Sequence, residues 1–279
     1  MRKTCNEVPD NDIRFAFGEN WARFLRILTP GRVAEAEKSL SSMLWAVKIS
    51  EKTFLDIGSG SGLFSLAARN LGAVVHSFDC DAGSFACTTE LKERYHPGDA
   101  AWIVETGSIL DNAYVAQLGQ FDVVYSWGVL HHTGALWDAM GNAARLIRPG
   151  GIIYIAIYNT QPFLTAYWKT VKRFYSSMPK AIRWLMEWGF FLFFMVESMT
   201  ADLVRGRNPF NRFGGEGFRG MNMRVDVRDW IGGWPFETAR PEEVFHFFRD
   251  RNFELLELVT VAGKHGCNEF VFRRKSETS

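Results

Sequence analysis

The sequence predicts an α/β protein built on a mostly parallel sheet with helices on both faces. Three observations carry that expectation. Short apolar runs alternate with segments of helical periodicity between residues 50 and 160, as in a chain of βαβ units. The first such run ends in the cluster Gly58-Ser59-Gly60-Ser61-Gly62. The fifth, Ile152 to Ile157, is apolar throughout, as a central parallel strand buried on both faces requires.

The elements follow in order. Residues 12 to 49 read as one or two helices, with Phe15, Phe17, Trp21 and Phe24 as aromatic anchors. Thr53 to Ile57 is the first strand, Leu63 to Leu71 a helix, and Ala73 to Phe78 a second strand that ends in Asp79. Ser84 to Arg94 reads as a helix, Ala101 to Glu105 as a third strand, and Phe121 to Ser126 as a fourth. Ala135 to Ile147 is a helix closed by Arg148-Pro149-Gly150-Gly151, and the fifth strand follows. After Asn159 the alternation stops for an aromatic stretch, a Gly/Arg/Asn-rich segment from Arg205 to Arg219, and a Gly/Trp-rich one up to Glu237. It resumes with a helix over Pro241 to Arg251, Pro standing in its first turn, and strands over Glu254 to Val261 and Asn268 to Arg273.

Composition narrows the function classes. Hydrophobic residues make up 47% of the 279 residues and charged ones 23%, enough for a packed core and too little charge for a disordered chain. Lys+Arg 32 against Asp+Glu 31 leaves a net charge of +1, which argues against a nucleic-acid partner. Cys5, Cys80, Cys87 and Cys267 form no CxxC pair, so neither a disulfide framework nor a zinc cluster is expected, and a reducing cytoplasm is the simple reading. The basic N-terminus has no apolar run behind it, unlike a signal peptide. The uncharged run Trp188 to Val196 is too short for a spanning helix, which needs about 20 residues. It reads as an apolar helix, buried under a lid in preference to lying on a membrane, because it lacks a Lys/Arg-rich face. Peripheral membrane contact and a homodimer stay open.

A strand running into D-x-G-x-G-x-G and then a helix brings backbone close to a ligand, since glycine has no Cβ. The helix N-terminus behind it offers free N–H groups. Asp79 ends the next strand, 17 residues after Gly62, where a carboxylate can accept both ribose hydroxyls of an adenosine-type cofactor. The dinucleotide pattern wants glycine at the position Leu63 occupies, which counts against NAD.

The motifs LDIGSGSG, Asp79 after the second strand, FDVVYS at the fourth, and RPGG before the fifth together resemble the class I S-adenosylmethionine-dependent methyltransferases, in the branch with ubiquinone-type and other small-molecule enzymes. The resemblance spans residues 50 to 160 by motif and 240 to 273 by pattern. It implies a Rossmann-like, seven-stranded sheet with its last strand antiparallel, and a helical, aromatic cap inserted after the fifth strand. The implied division is an N-terminal helical segment covering the cofactor site (1–49), a cofactor-binding core (50–160), a cap or lid (161–240) and a C-terminal completion of the sheet (241–279). By the same resemblance, Gly58, Ser59, Gly60 and Gly62 approach the methionine part of S-adenosylmethionine and Asp56 orders the loop. Asp79 binds the ribose and Cys80 lies beside the adenine. Ser108 and Ile109 flank the adenine without the acidic residue often found there, for which Asp111 is a substitute. Ser126 and Trp127 line the sulfonium end.

Methyl transfer is an in-line displacement, so the enzyme chiefly aligns nucleophile and methyl, and needs a base only where the nucleophile must lose a proton. His131 and His132, after the fourth strand, are candidates for that proton, or else a helix cap and a core residue. Tyr158 and Asn159 end the fifth strand and face substrate or simply close the strand. Adjacent histidines on a loop are no metal signature, so a divalent ion is allowed but not expected. In Phe17-Gly18-Glu19-Asn20-Trp21 the glycine and asparagine break helix propensity. The segment folds over the cofactor with Glu19 or Asn20 as polar contacts, or starts a helix capped by Asn20. The Asp226 to Glu237 stretch reads as a substrate-closing loop or a solvated one, and Lys264 to Glu269 as a turn.

These readings point to a small-molecule methyltransferase whose acceptor has an apolar portion. Its most expected target is a hydroxyl oxygen, with nitrogen and carbon as alternatives. A methyltransferase of tRNA or protein, and a non-catalytic partner subunit, are the competing classes.

Overall fold

The fold positions its site at the point where the strand order reverses. The computed structural model describes residues 17–206, 208, 223–262 and 266–276, with the side chains of 223–226 excepted. Its strands are β1 (Thr53–Ile57), β2 (Val74–Asp79), β3 (Trp102–Thr106), β4 (Phe121–Trp127), β5 (Ile147–Tyr158), β6 (Phe253–Val259) and β7 (Cys267–Arg274). They form one sheet in the order β3-β2-β1-β4-β5-β7-β6. β1 to β5 pair in parallel, while β7 runs antiparallel to both β5 and β6. The chain steps outward from β1 to β3 and returns to start β4 on the other side of β1, which opens a crevice at their carboxyl ends. Asp122 fastens the opposite ends of these two strands, its Oδ2 accepting Thr53 N at 3.0 Å and Thr53 Oγ1 at 2.8 Å.

Strand alternation sorts the core into two layers. Leu55, Ile57, Val124, Ile153 and Ile155 face one side, where α6 (Leu136–Arg145) and α10 (Pro241–Arg249) cover them. Phe54, Val123, Ile152 and Tyr154 face the other, under α2 (Pro30–Met43), α3 (Leu63–Asn70) and α1 (Phe17–Arg26). Thr29 starts α2 by accepting Arg32 N, with Pro30 in the first turn, as a helix N-terminus favours. α4 (Ala82–Tyr95) and α5 (Asn112–Leu118) each begin on an aspartate cap, Asp81 and Asp111.

Four expectations need correction. Helix α5 was not expected, because seven residues leave little periodicity to read. The fifth strand begins at Ile147, not Ile152, since Ile147 already pairs with Phe121 across an irregularity in the register. The aromatic run was expected to be buried. It belongs instead to α8 (Lys180–Val204), whose Trp184, Leu185, Phe193 and Val196 are exposed. Among the described residues α7 (Pro162–Ser177) and α9 (Met223–Gly232) make its main contacts, so one stripe, with Met186, Phe190 and Phe194, finds partners in the cluster around Trp168. Among the described residues no helix is long and apolar enough to cross a membrane. Cys80 is disulfide-bonded while Cys87 and Cys267 are free, so the argument from reduced thiols to a reducing compartment does not hold. Spacing along the chain does not reveal which sulfurs the fold brings together. Phe15, Lys264, His265 and most of the Arg205–Arg219 segment lie outside the described residues.

The antiparallel end of the sheet depends on a stack of rings. Phe272 on β7 is fully buried, 4.5 Å from the Phe248 ring of α10 and 5.9 Å from Phe270. Phe272→Ala should therefore cost about 3–5 kcal/mol in urea unfolding. A loss below about 1 kcal/mol would mean that α10 does not close over the sheet in this way.

Candidate active site

The loop between β1 and α3 turns three times through glycine. Gly58, Gly60 and Gly62 have φ of +73°, +56° and +79°, a region where only glycine sits without strain. A Cβ on Gly60 would also stand 2.8 Å from Trp21 Nε1, and one on Gly58 2.3 Å from Val129 Cγ1. The loop is tied to the end of β2, where Gly58 N and Ser59 N both donate to Phe78 O. Gly60 N donates to Asp79 Oδ2 at 3.0 Å. Ser59 Oγ and Thr88 Oγ1 lie 2.8 Å apart, which fastens the loop to α4. Beneath it Asp56 accepts the Ser65 hydroxyl, which pairs with Ser77 Oγ, which in turn accepts Trp102 Nε1.

Asp79 is the hub of this half of the site. Its Oδ1 accepts Asp81 N at 2.9 Å, and its carbonyl accepts Gly107 N at 3.0 Å. Burial lifts the Asp79 carboxyl to about 6, against the pull of the backbone N–H groups of Asp81 and Gly60. Burial lifts Asp56 to about 7, the Ser65 hydroxyl opposing it. Two buried carboxylates held above their ordinary range suit a cationic ligand, which would favour their charged forms. The amino group of S-adenosylmethionine's methionine part, which the glycine-lined approach admits, fits that requirement.

The remaining predicted cofactor residues divide. Ser108 and Ile109 follow Gly107 and so stand beside Asp79, but the Ser108 hydroxyl accepts Leu110 N and the Ile109 side chain enters the core. Asp111 accepts Ala113 N and Tyr114 N as the cap of α5, so its carboxylate is engaged within its own helix. Ser126 is fully buried and donates to Ile57 O, which turns its hydroxyl toward β1. Trp127 is half-buried at the end of β4.

The second half of the site is a wall of buried rings and titratable groups. The 3₁₀ turn Leu130–His132 follows β4 and is held by Glu237 N donating to His131 O. The structure brings His131, His132 and Tyr158 together. The His131 ring lies 3.9 Å from that of Tyr158 and 4.4 Å from that of His132. His132 Nδ1 donates to Pro235 O at 2.7 Å, a carbonyl being able only to accept. Burial pushes the His132 imidazole down to about 3, assisted by the Lys172 charge, and pushes His131 well below its usual range. Asn159 bonds Asn268 at the adjoining edge. Among the described residues no group of three or more His, Cys, Asp or Glu could hold a metal ion.

Lys172 was not among the candidates, and Asp229 stood only inside the Asp226 to Glu237 stretch read as a loop, which is helical up to Gly232 in α9. Lys172 on α7 is fully buried, donates to Trp230 O, and lies 4.8–5.2 Å from the ring centres of Tyr158, Trp230 and Phe236. Asp229 on α9 bonds Asn20 of α1. A signal for Lys172 does exist. It shares a helical stripe with Trp168 and Tyr175, at i−4 and i+3, and both of those are buried.

Helix α1 joins the two halves. Gly18 lets its backbone rest on α4, where a Cβ would come 2.5 Å from Gly83 Cα. Trp21 covers Gly60, Phe17 meets the His132 ring at 5.3 Å, and Asn20 is buried against Asp229. Asn20 thus lies inside α1 and does not cap it, while Glu19 is largely exposed and pairs with Arg23. The propensity-breaking residues are the ones that make contact.

The buried carboxylates give the free protein a characteristic pH response. Asp56 is raised from 3.8 to about 7, so the folded state holds its proton more tightly than the unfolded chain. That stabilisation is complete below about pH 4 and lost as pH rises through about 7. Asp56→Asn should narrow the difference in urea midpoint between pH 5 and pH 8, with Asp79 keeping part of it. An unchanged difference would show that Asp56 is not held protonated by burial.

Comparison with known proteins agrees with this geometry. The model of a family described as a methyltransferase domain matches residues 30–256. A ubiquinone biosynthesis O-methyltransferase of Caulobacter vibrioides is 31% identical over 113 residues, covering 38% of this chain and 41% of that protein. One from Pseudomonas paraeruginosa is 29% identical over 115 residues, 41% of this chain and 47% of that protein. The chain thus spans less than half the length of these relatives. Among solved structures, magnesium protoporphyrin IX methyltransferase from Synechocystis PCC 6803, with bound S-adenosylhomocysteine, superposes with a TM-score of 0.54 at 12% identity. That match covers 92% of this chain and 94% of the other. A chain from the complex of a Haloferax volcanii Trm112 methyltransferase activator with a putative methyltransferase reaches 0.53 at 13% identity, over 96% and 100%. With a glycine loop, a buried Asp79 and a sheet in this order, the chain belongs to the methyltransferase-domain family and has the class I fold of S-adenosylmethionine-dependent enzymes.

Proposed function

We propose that the protein transfers a methyl group from S-adenosylmethionine to a hydroxyl oxygen of a small molecule that has an apolar portion. The observation that carries this reading is the joining of two sites by one turn of α1. Trp21 lies on the glycine loop, and Phe17 and Asn20 lie on the wall of His132 and Asp229. A residue and its i+4 neighbour are about 6 Å apart along a helix, a spacing suited to a cofactor and an acceptor brought into line.

In this reading Gly58, Ser59, Gly60 and Gly62 cradle the cofactor's methionine part, with Asp56 ordering the loop. Asp79 takes the ribose, Cys80, Ser108 and Ile109 border the adenine, and Ser126 and Trp127 border the sulfonium. When bound, S-adenosylmethionine supplies an electrophilic methyl whose bond to sulfur breaks as the bond to the acceptor forms. His131, His132 and Tyr158 exclude water and orient the acceptor. Residues 1–49 and 161–240 act as cover and cap over the core. An apolar portion of the acceptor is supported by a cavity of about 470 Å³ between α7 and α8, lined by Leu164, Tyr167, Trp168, Met186 and Phe190 among others. Its Trp168 touches Trp230, which touches Tyr158. The printed names of the relatives, O-methyltransferases of ubiquinone biosynthesis, favour oxygen over nitrogen or carbon. The near-zero net charge disfavours a tRNA acceptor, whose backbone calls for a basic surface, and the complete glycine loop disfavours a non-catalytic partner subunit.

Calorimetric titration with S-adenosylmethionine and S-adenosylhomocysteine tests the reading. Micromolar binding is expected, weakened tenfold or more by Asp79→Ala, a change of about 1.4 kcal/mol. Because burial lifts Asp79 to about 6, affinity should fall as pH drops below that value and the carboxylate takes a proton. Folded protein that binds neither compound would exclude the enzyme reading.

A further inference from the structure

Lys172, Asp229 and His131 form a buried polar cluster whose hydrogen-bonding capacity is largely unspent. An ammonium has three N–H donors, and among the described residues Lys172 uses one, on Trp230 O. His131 Nε2 and Asp229 Oδ1 are buried with no hydrogen-bond partner there. The atoms share one wall. The His131 ring and the Lys172 nitrogen both lie against the Tyr158 ring, at 3.9 Å and 5.2 Å from its centre. Asp229 of α9 is close enough for its charge to act on the Lys172 amine. Donors and an acceptor left unspent at one buried place are costly unless a ligand completes them. A hydroxyl is the smallest group that both donates and accepts.

A structural plug would not need an amine. Methionine or leucine on the Trp168–Tyr175 stripe would fill the same space without burying a charge. The groups that face Lys172 are Tyr158 of β5, His131 and His132 of the 3₁₀ turn, Asp229 of α9 and Cys267 of β7, with Asn20 of α1 behind Asp229. Arg228, the nearest other cation on α9, is paired with Glu187.

We propose that Lys172, flanked by Asp229 and His131, holds the acceptor's hydroxyl and takes its proton. The proposal rests on the methyltransferase reading above. The hydroxyl proton passes to the neutral amine of Lys172. The oxygen–methyl bond forms as the methyl–sulfur bond breaks, with the electron pair left on sulfur, and the new ammonium loses its proton to solvent by way of Asp229. Burial brings Lys172 down to about 7, with Asp229 pulling it upward, and lifts Asp229 to about 7. The two histidines are pushed so low that both are neutral imidazoles near neutral pH. Lys172 is therefore the base matched to neutral conditions. A phenol, which ionises near about pH 10 in water, is within its reach.

The test uses the full chain, S-adenosylhomocysteine, and 4-octylcatechol as an apolar phenol probe, with Lys172→Met, Lys172→Arg and Asp229→Asn. In calorimetry the wild type with S-adenosylhomocysteine should bind the probe, and Lys172→Met should lose at least tenfold in probe affinity while its S-adenosylhomocysteine affinity stays unchanged. Methylation of the probe by the wild type should rise through about pH 7. Lys172→Arg, which keeps the charge and cannot release its proton, should lose that limb and at least a hundredfold in rate. Asp229→Asn should move the limb. Probe binding by Lys172→Met equal to wild type, an unmoved pH profile, or a wild type that binds S-adenosylhomocysteine but no probe overturns the proposal. A wild type that does not bind S-adenosylhomocysteine overturns the methyltransferase reading with it. Should Lys172→Met fail to fold, Lys172→Arg carries the pH arm alone and the proposal stands or falls on it.

Discussion

The carboxylate and carbonyl of Asp79 hold three loops in register. One oxygen takes the Gly60 amide, the other takes the Asp81 amide at the start of α4, and the carbonyl takes the Gly107 amide after β3. Each loop leaves a different strand at the same end of the sheet, and Asp79 is an acceptor common to all three. The cost is a carboxyl held out of water, offset by backbone donors aimed at its charged form.

From this hub the architecture is a sequence of close approaches. Gly60 admits Trp21, Gly18 admits the α4 turn at Gly83, and Asn20 reaches Asp229. Helix α1 is poor by propensity because contact, not propensity, holds it. The cap, by contrast, is held by rings. Trp230, Tyr158 and Phe236 surround one buried amine, and Trp168 packs edge-on against Trp230. A cation over aromatic faces gains attraction there, while burial favours the neutral amine.

The outer face of the cap has a different character. α8 turns Met186, Phe190 and Phe194 toward Trp168 and leaves Trp184, Leu185, Phe193 and Val196 on the surface. Its composition is apolar all round, which commonly marks a buried helix. Burial needs partners on every side, and α7 and α9 supply them on one.

Strand identity and a mostly parallel sheet were legible in the chain itself, because buried apolar runs and glycine turns are local constraints, whereas the strand order and its reversal next to β1 came only from the structure. Gly58, Gly60, Gly62 and Asp79 were legible in the chain too, their chemistry being tied to short spacings. Only the tertiary structure decided where Lys172 lies, since a lysine on a helix is ordinarily solvated, and its burial depends on Trp230 and Phe236 more than fifty residues away. It likewise turned Ser126 toward Ile57 and Asp111 toward its own helix, and bound Cys80 into a disulfide. Local sequence specifies backbone conformation through short-range sterics and periodicity. Side-chain partners and burial arise from contacts between distant segments, which no window of neighbouring residues contains.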